Sequence, residues 1–217
     1  MCYISLMKVK IEYVKDMGEY GYKLIRHIVT NPKEIRVGRN IEGLSLKPRE
    51  VLGLFILSCV VRSISGKNWR PGLEPYKGDG TIVNLESGDK QGYDAAFIEQ
   101  VYVYFHNRVG ELTSSEIVSE IGKQIKKKSE KGGEYTKNRH LLIFLDVTGG
   151  LDYQKVKSYL SGINNRFDSY WLFAKSEKIG HEYYVFCLEA SVDQPAAYKL
   201  VFSDDFRNYK VELLGRL

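Results

Sequence analysis

The sequence predicts an α/β fold of the α+β kind, a mixed central sheet flanked by helices. Three observations predict it. Residues 79–105 alternate in character on either side of a polar turn, which reads as a β-hairpin. Residues 51–61 form the longest apolar run, set behind Pro48 and Glu50 as a helix would be. A capping box at Thr113–Ser114–Ser115–Glu116 opens a second helix, and the continuous apolar strand RHLLIFLD follows at 139–146. Helix, strands, helix and strand in that order call for a sheet with helices packed on it.

Taken in order, residues 2–14 are rich in β-branched and aromatic side chains and supply a strand. Residues 16–43 mix Gly, Tyr and basic residues around the turn signal Asn31-Pro32; these aromatics and cations either stack on bases and pair with phosphates or form a solvated surface. The helix at 45–65 carries apolar residues all round its axis, so it is expected to be buried on most sides and to stop at Gly66. An irregular stretch from Asn68 to Gly78 leads into the hairpin. In the helix at 116–130 the inner stripe is Ile117, Val118, Ile121 and Ile125, and the next position on that face is Lys128. Gly132-Gly133 ends it. A helix at 152–160 and strands at 169–174 and 181–188 come next, with 198–202 as an edge strand and 209–214 as a short closing element.

The chain's 217 residues, 43% hydrophobic and 27% charged, suffice for a substantial core, organised as an N-terminal strand and basic, aromatic segment (1–44) packed on an α/β core with C-terminal strands (45–217). Cys2, Cys59 and Cys187 show no metal-ligand or redox spacing, and the N-terminus lacks the layout of a secretory signal, so a cytoplasmic setting is expected. The longest apolar run falls short of the ~20 residues needed to span a bilayer, so no membrane partner is expected. A net charge of +5 permits a polyanionic partner without demanding one.

The hairpin carries the chemistry. Strand parity puts Tyr93, Ala95, Phe97, Glu99, Val101 and Val103 on one face, so Glu99 lies in an apolar row. Folding about Asp89 brings Asp79 roughly opposite Glu99. Burial and like charge both oppose ionisation of two neighbouring carboxylates unless a cation or a proton lies between them. A divalent metal with oxygen ligands is the simplest such cation.

A buried helix, a strand carrying Asp79, a hairpin, a strand carrying Glu99, a lysine-rich helix and the strand at 141–145 together resemble the core of the PD-(D/E)xK nuclease-like superfamily, over roughly residues 47–146. The resemblance implies a restriction endonuclease-like core, with Asp79 and Glu99 binding magnesium or manganese and DNA or RNA as the partner. Two positions depart from the family pattern: Gly78 stands where a proline precedes the first acid, and Val101 stands where the lysine follows the glutamate. Some members of that superfamily supply the lysine from the following helix, which here implies Lys128. Asp79, Glu99 and Lys128 would then hydrolyse a phosphodiester, the ammonium stabilising developing negative charge, with Lys123, Lys127 and Lys131 binding the nucleic acid. The alternative is a catalytically inactive binding protein on the same scaffold, in which Glu99 pairs with Lys128 as an internal ion pair.

The other titratable residues read as structural. Asp94 lies on the opposite strand face from Glu99 and Glu86 lies by the turn; Ser58 and Cys59 belong to the apolar helix. His27, His106, His140 and His181 lack zinc spacing. Trp69, Trp171 and the 16 tyrosines include candidate stacking platforms. Asp146, ahead of Thr148-Gly149-Gly150, marks a possible small-molecule loop, which would need a deep apolar pocket beside it.

Overall fold

From the N-terminus, β1 (Met7–Val9) and α1 (Met17–Thr30) lead to α2 (Pro48–Ser65), which is followed by β2 (Trp69–Pro71), β3 (Gly80–Asp89) and β4 (Gly92–Tyr104). Then come α3 (Ser114–Ser129), the one-turn α4 (Gly133–Thr136), β5 (Arg139–Asp146), α5 (Tyr153–Ser161), β6 (Ser169–Lys175), β7 (Glu182–Leu188), β8 (Ala196–Phe202) and β9 (Tyr209–Arg216). This is a computed structural model, and it describes residues 6–30, 46–74, 76–104, 112–147, 149–175, 182–188 and 196–216, excepting the side chains of 29, 184, 186–188 and 216. Cys2, the segment around Asn31-Pro32, His106, Thr148 and His181, and the side chain of Cys187, lie outside the described residues.

The architecture is α+β, a curled mixed sheet flanked by helices. Strands run in the order β2-β3-β4-β5-β6-β7-β8-β9, with β1 paired to β4. The two pairings about β5 are parallel and the rest antiparallel. Parallel neighbours on both sides bury β5, as its unbroken apolar run predicts. The curl follows from α2. From Val51 to Val61 every residue of this helix is buried, so no single sheet face can satisfy it. The sheet bends until β2 and β3 near one edge and β8 and β9 at the other all touch it. Phe55 of α2 stacks on Phe202 of β8 at 5.6 Å between ring centroids. Gly66 ends the helix in a left-handed conformation, as expected.

Strand parity then divides the core. Ala96, Ile98, Leu142, Phe144, Trp171 and Phe173 face α1 and α2. Val101, Val103, Leu141, Ile143, Leu145 and Leu172 face α3 and α5, whose inner stripe includes Ile117, Ile121 and Ile125.

Several expectations are corrected. Of the described part of the expected N-terminal strand, residues 6–14, Met7–Val9 forms a strand and Tyr13 an isolated bridge. The glycine- and tyrosine-rich stretch after Asp16 forms α1: a Cβ at Gly21 would lie 2.5 Å from Phe55 Cζ, so this glycine permits close helix packing rather than a turn. Residues 69–71 form an edge strand, where Pro71 is tolerated. The hairpin turn is shorter than read, with Asp89 pairing with Gly92, and β8 is interior while β9 takes the edge. Both tryptophans are core residues, Trp69 at 3% and Trp171 at 1% exposure, and neither is a stacking platform. Among the described residues no helix is long and apolar enough to cross a membrane.

Candidate functional site

The β3–β4 register sets the two acids side by side. Gly80 pairs with Ile98, and just beyond the last paired residues the Asp79 amide donates to the Ile98 carbonyl at 3.0 Å. Asp79 therefore leaves the strand at the level of Glu99, as the hairpin reading predicts. The preceding residue is a glycine for a geometric reason. Gly78 has φ 76°, which proline cannot adopt, and a Cβ there would lie 2.6 Å from Glu99 Oε1. Gly78→Ala is expected to cost about 2–3 kcal/mol in urea denaturation, because left-handed strain adds to a clash with a carboxylate that cannot swing away. A loss below about 1 kcal/mol would show that Glu99 has room to move.

Glu99 is held on every side. It is 1% exposed. Lys128 reaches it from α3, one turn past Ile125 on the buried stripe, and its Nζ lies 2.8 Å from both Glu99 Oε2 and Asp79 Oδ2. Arg139 pairs with Glu99 Oε1, and the Tyr135 hydroxyl donates to Oε2. Asp79 Oδ2 also accepts from the Gln100 amide at 2.8 Å. The Tyr135 ring also meets Arg139, whose Cζ is 4.8 Å from its centroid, and one further cation, Lys131, whose Nζ is 4.4 Å from it.

This arrangement biases each proton. Burial works against the charged form of Lys128, but the hydrogen bonds and charges of Asp79 and Glu99 outweigh it and hold the ammonium well above its ordinary value. Burial likewise opposes ionisation of Asp79, yet Lys128 and the Gln100 amide leave its carboxyl below the ordinary value. Burial and the bond to Glu99 push the Tyr135 hydroxyl up to about 12, which keeps it a donor.

The predicted trio Asp79, Glu99 and Lys128 thus converges, and it is Asp79 and Glu99 that could share a cation. Two partners went unread in the sequence. Arg139 had a signal: as the first residue of the β5 run it shares the parity of Leu141 and Ile143, and it pairs with Phe97, one row from Glu99. Tyr135 had none, since α4 is a single turn behind a glycine pair.

Beside this network a cleft of about 390 Å³ runs along the part of β4 beyond Ile98, where the pairing with β3 has ended. Asp79 lines it; Lys47, just before α2, and Arg49, in its first turn, line it too, with Lys127, Lys128 and Lys131 from the end of α3 and just beyond. Among the described residues that line it, five are cations and two, Asp79 and Glu50, are acids. Lys123, also predicted to bind nucleic acid, lies outside this cleft, exposed and 3.3 Å from Glu120.

The remaining candidates are structural in their surroundings. Asp94 pairs with Lys8 at 3.2 Å, and Glu86 accepts from the Asn68 amide. Buried His140 meets Ser169 Oγ at 2.8 Å. Burial raises the Cys59 thiol far above its ordinary value, which makes it a poor nucleophile. Asp146 accepts from the Tyr102 hydroxyl at 2.7 Å. The chain matches no protein-family model and no curated protein sequence.

Proposed function

We propose that this protein holds a nucleic-acid backbone in the basic cleft, with Asp79, Glu99 and Lys128 as a nuclease-like centre on a restriction endonuclease-like core. The observation that carries the reading is the convergence of two carboxylates, Asp79 and Glu99, on Lys128, with Asp79 and Lys128 lining a cleft that four further cations also line. A core ion network alone has no need of Lys127, Lys131, Arg49 and Lys47 around a solvent-open groove. A phosphate chain does.

The donor set fits a divalent ion. Oxygens of Asp79 and Glu99 both lie 2.8 Å from one point, the Lys128 Nζ, and magnesium is commonly bound through one or two carboxylates completed by water and substrate phosphate. No group of three or more His, Cys, Asp or Glu side chains is found among the described residues, and this binding mode does not call for one. When bound, such an ion supplies Lewis acidity to a phosphoryl oxygen and lowers the pKa of water. The chain's own residues do the rest. Arg139 and Tyr135 orient Glu99, and the Gln100 amide orients Asp79. Lys127 and Lys131 neutralise the backbone. Lys128, at the cleft wall, exchanges a carboxylate oxygen for a phosphate oxygen.

The second reading, a binding protein without hydrolysis, is favoured by one observation. Both Glu99 oxygens are already engaged, by Arg139 on one side and by Lys128 and Tyr135 on the other. Incubating the protein with single-stranded and duplex DNA and with RNA, in magnesium or manganese, separates the two. Cleavage that disappears in Asp79→Asn is the expected result for a hydrolase; this near-isosteric change is at a partly exposed residue and spares the core. Salt-dependent binding with no cleavage selects the second reading, and cleavage that survives Asp79→Asn overturns the assignment of the centre.

A further inference from the structure

The cleft is not uniformly charged. Tyr102, Tyr104 and Phe144 line it together with Arg49, while Lys127, Lys128 and Lys131 come from across β4. Tyr102 and Tyr104 have the strand parity of Ile98 and Gln100, so they belong to the α2 side of the sheet.

These aromatics form a continuous ladder out of the core. Phe173 and Phe144 stack with centroids 4.5 Å apart and planes 21° from parallel. Phe144 meets Tyr102 at 4.8 Å, and Tyr102 meets Tyr104 at 5.2 Å. Tyr102 is locked in place, its hydroxyl donating to Asp146 and the Arg49 guanidinium 5.7 Å from its ring. Tyr104 is partly exposed and lines the cleft. Placing aromatic rings in a cleft that ammonium groups also line is what binding of unpaired bases requires: π-faces for the bases and cations for the phosphates.

Size points the same way. A volume of about 390 Å³ is near the lower end of the ~300–1,000 Å³ typical of small-ligand sites, so it holds a nucleotide or so of an unpaired strand and cannot enclose a double helix. In a duplex the base faces are already stacked and unavailable to Tyr104.

We infer that the cleft takes single-stranded nucleic acid, with a base stacked on Tyr104 beside Tyr102 and the flanking phosphates on Arg49, Lys127 and Lys131. This rests on the polyanion reading above and narrows it to a substrate class. It does not depend on hydrolysis.

The experiment compares, by fluorescence anisotropy without divalent metal, a labelled oligothymidylate, an abasic oligomer of equal length and a blunt duplex. The oligothymidylate is expected to bind at least ~5-fold more tightly than the abasic strand, the lower end of what one base stacked on an aromatic ring contributes. Tyr104→Ala should erase that advantage, so that thymidylate and abasic strands bind alike. Tyr104→Phe should restore it, since only the ring is used, and circular dichroism checks that both variants fold. Equal binding of thymidylate and abasic strands, or tighter binding of the duplex, overturns the stacking inference and leaves the polyanion reading standing. A free thymidine monophosphate that competes as well as the oligomer, nucleotide for nucleotide, overturns the polymer assignment. Failure of all three labelled ligands to bind overturns the polyanion reading itself.

Discussion

Glu99→Ala is expected to lower the unfolding free energy by about 3–5 kcal/mol, the largest effect of any single change at the centre. Removing one partner of a desolvated ion network costs far more than the network is worth as a whole, because the groups left behind stay buried without a counter-charge. Here the alanine leaves the Arg139 side chain, 19% exposed, without its carboxylate and Lys128, 16% exposed, with Asp79 alone, and it deprives the Tyr135 hydroxyl of its acceptor. Urea denaturation at neutral pH reads the loss directly. A loss under about 1 kcal/mol would mean that water replaces the carboxylate freely and that the centre is not desolvated.

The same variant has a pH signature whose sign follows from the shifted groups. Lys128 and Tyr135 hold their protons more tightly in the folded chain than in the unfolded one, so the stability they carry is present below their unfolded values, ~10.4 and ~10, and is lost as pH rises through the folded values. Asp79 behaves oppositely: its share is present above ~3.9 and is lost as pH falls through its depressed folded value. The difference in stability between the natural chain and Glu99→Ala should therefore stay flat between roughly pH 5 and 9 and shrink above ~10. A difference that instead grows with alkaline pH would contradict the assignment of Lys128 and Tyr135 as donors to Glu99.

Replacing Lys127 and Lys131 together by alanine should remove half of the salt dependence of nucleic-acid binding. Lys47, Arg49, Lys127 and Lys131 are the cleft cations not committed to the buried carboxylates. A single strand that runs on past the cleft and sets a phosphate on each of these four cations gives a slope of about −3 for log affinity against log salt, and one that meets two gives about −1.5. Between 50 and 200 mM salt the natural chain should thus lose about 50-fold in affinity and the double variant about 7-fold. Both lysines are exposed, so the fold should tolerate the change, and an unchanged denaturation midpoint serves as the control. An unaltered slope would place the polyanion on another surface.

How far these features are legible in the sequence depends on the distance over which each is decided. Strand parity put Glu99 in its apolar row, and helical spacing put Lys128 on the buried stripe of α3; both are local regularities of the backbone and need no knowledge of the partner. The level of Asp79 against Glu99 agrees with folding about Asp89, but the turn itself lies one step further on, at Lys90-Gln91, and a register shift between Asn84 and Asp89 restores the pairing. By contrast, α1 was hidden. Its glycines lower helix propensity, and the packing against Phe55 that makes Gly21 useful appears only in three dimensions.

The sequence by itself determined the fold class, the buried central helix, and which acids and which lysine face the same side. Only the tertiary structure decided that Arg139 and Tyr135, 40 and 36 residues from Glu99 along the chain, complete its ion network, and that the pairing of β4 ends where a basic, aromatic cleft can open. The physical reason is that parity and helical period propagate through covalent neighbours. Parallel pairing with β5, and the curl of the sheet around α2, are settled by burial of apolar surface among residues far apart in the chain.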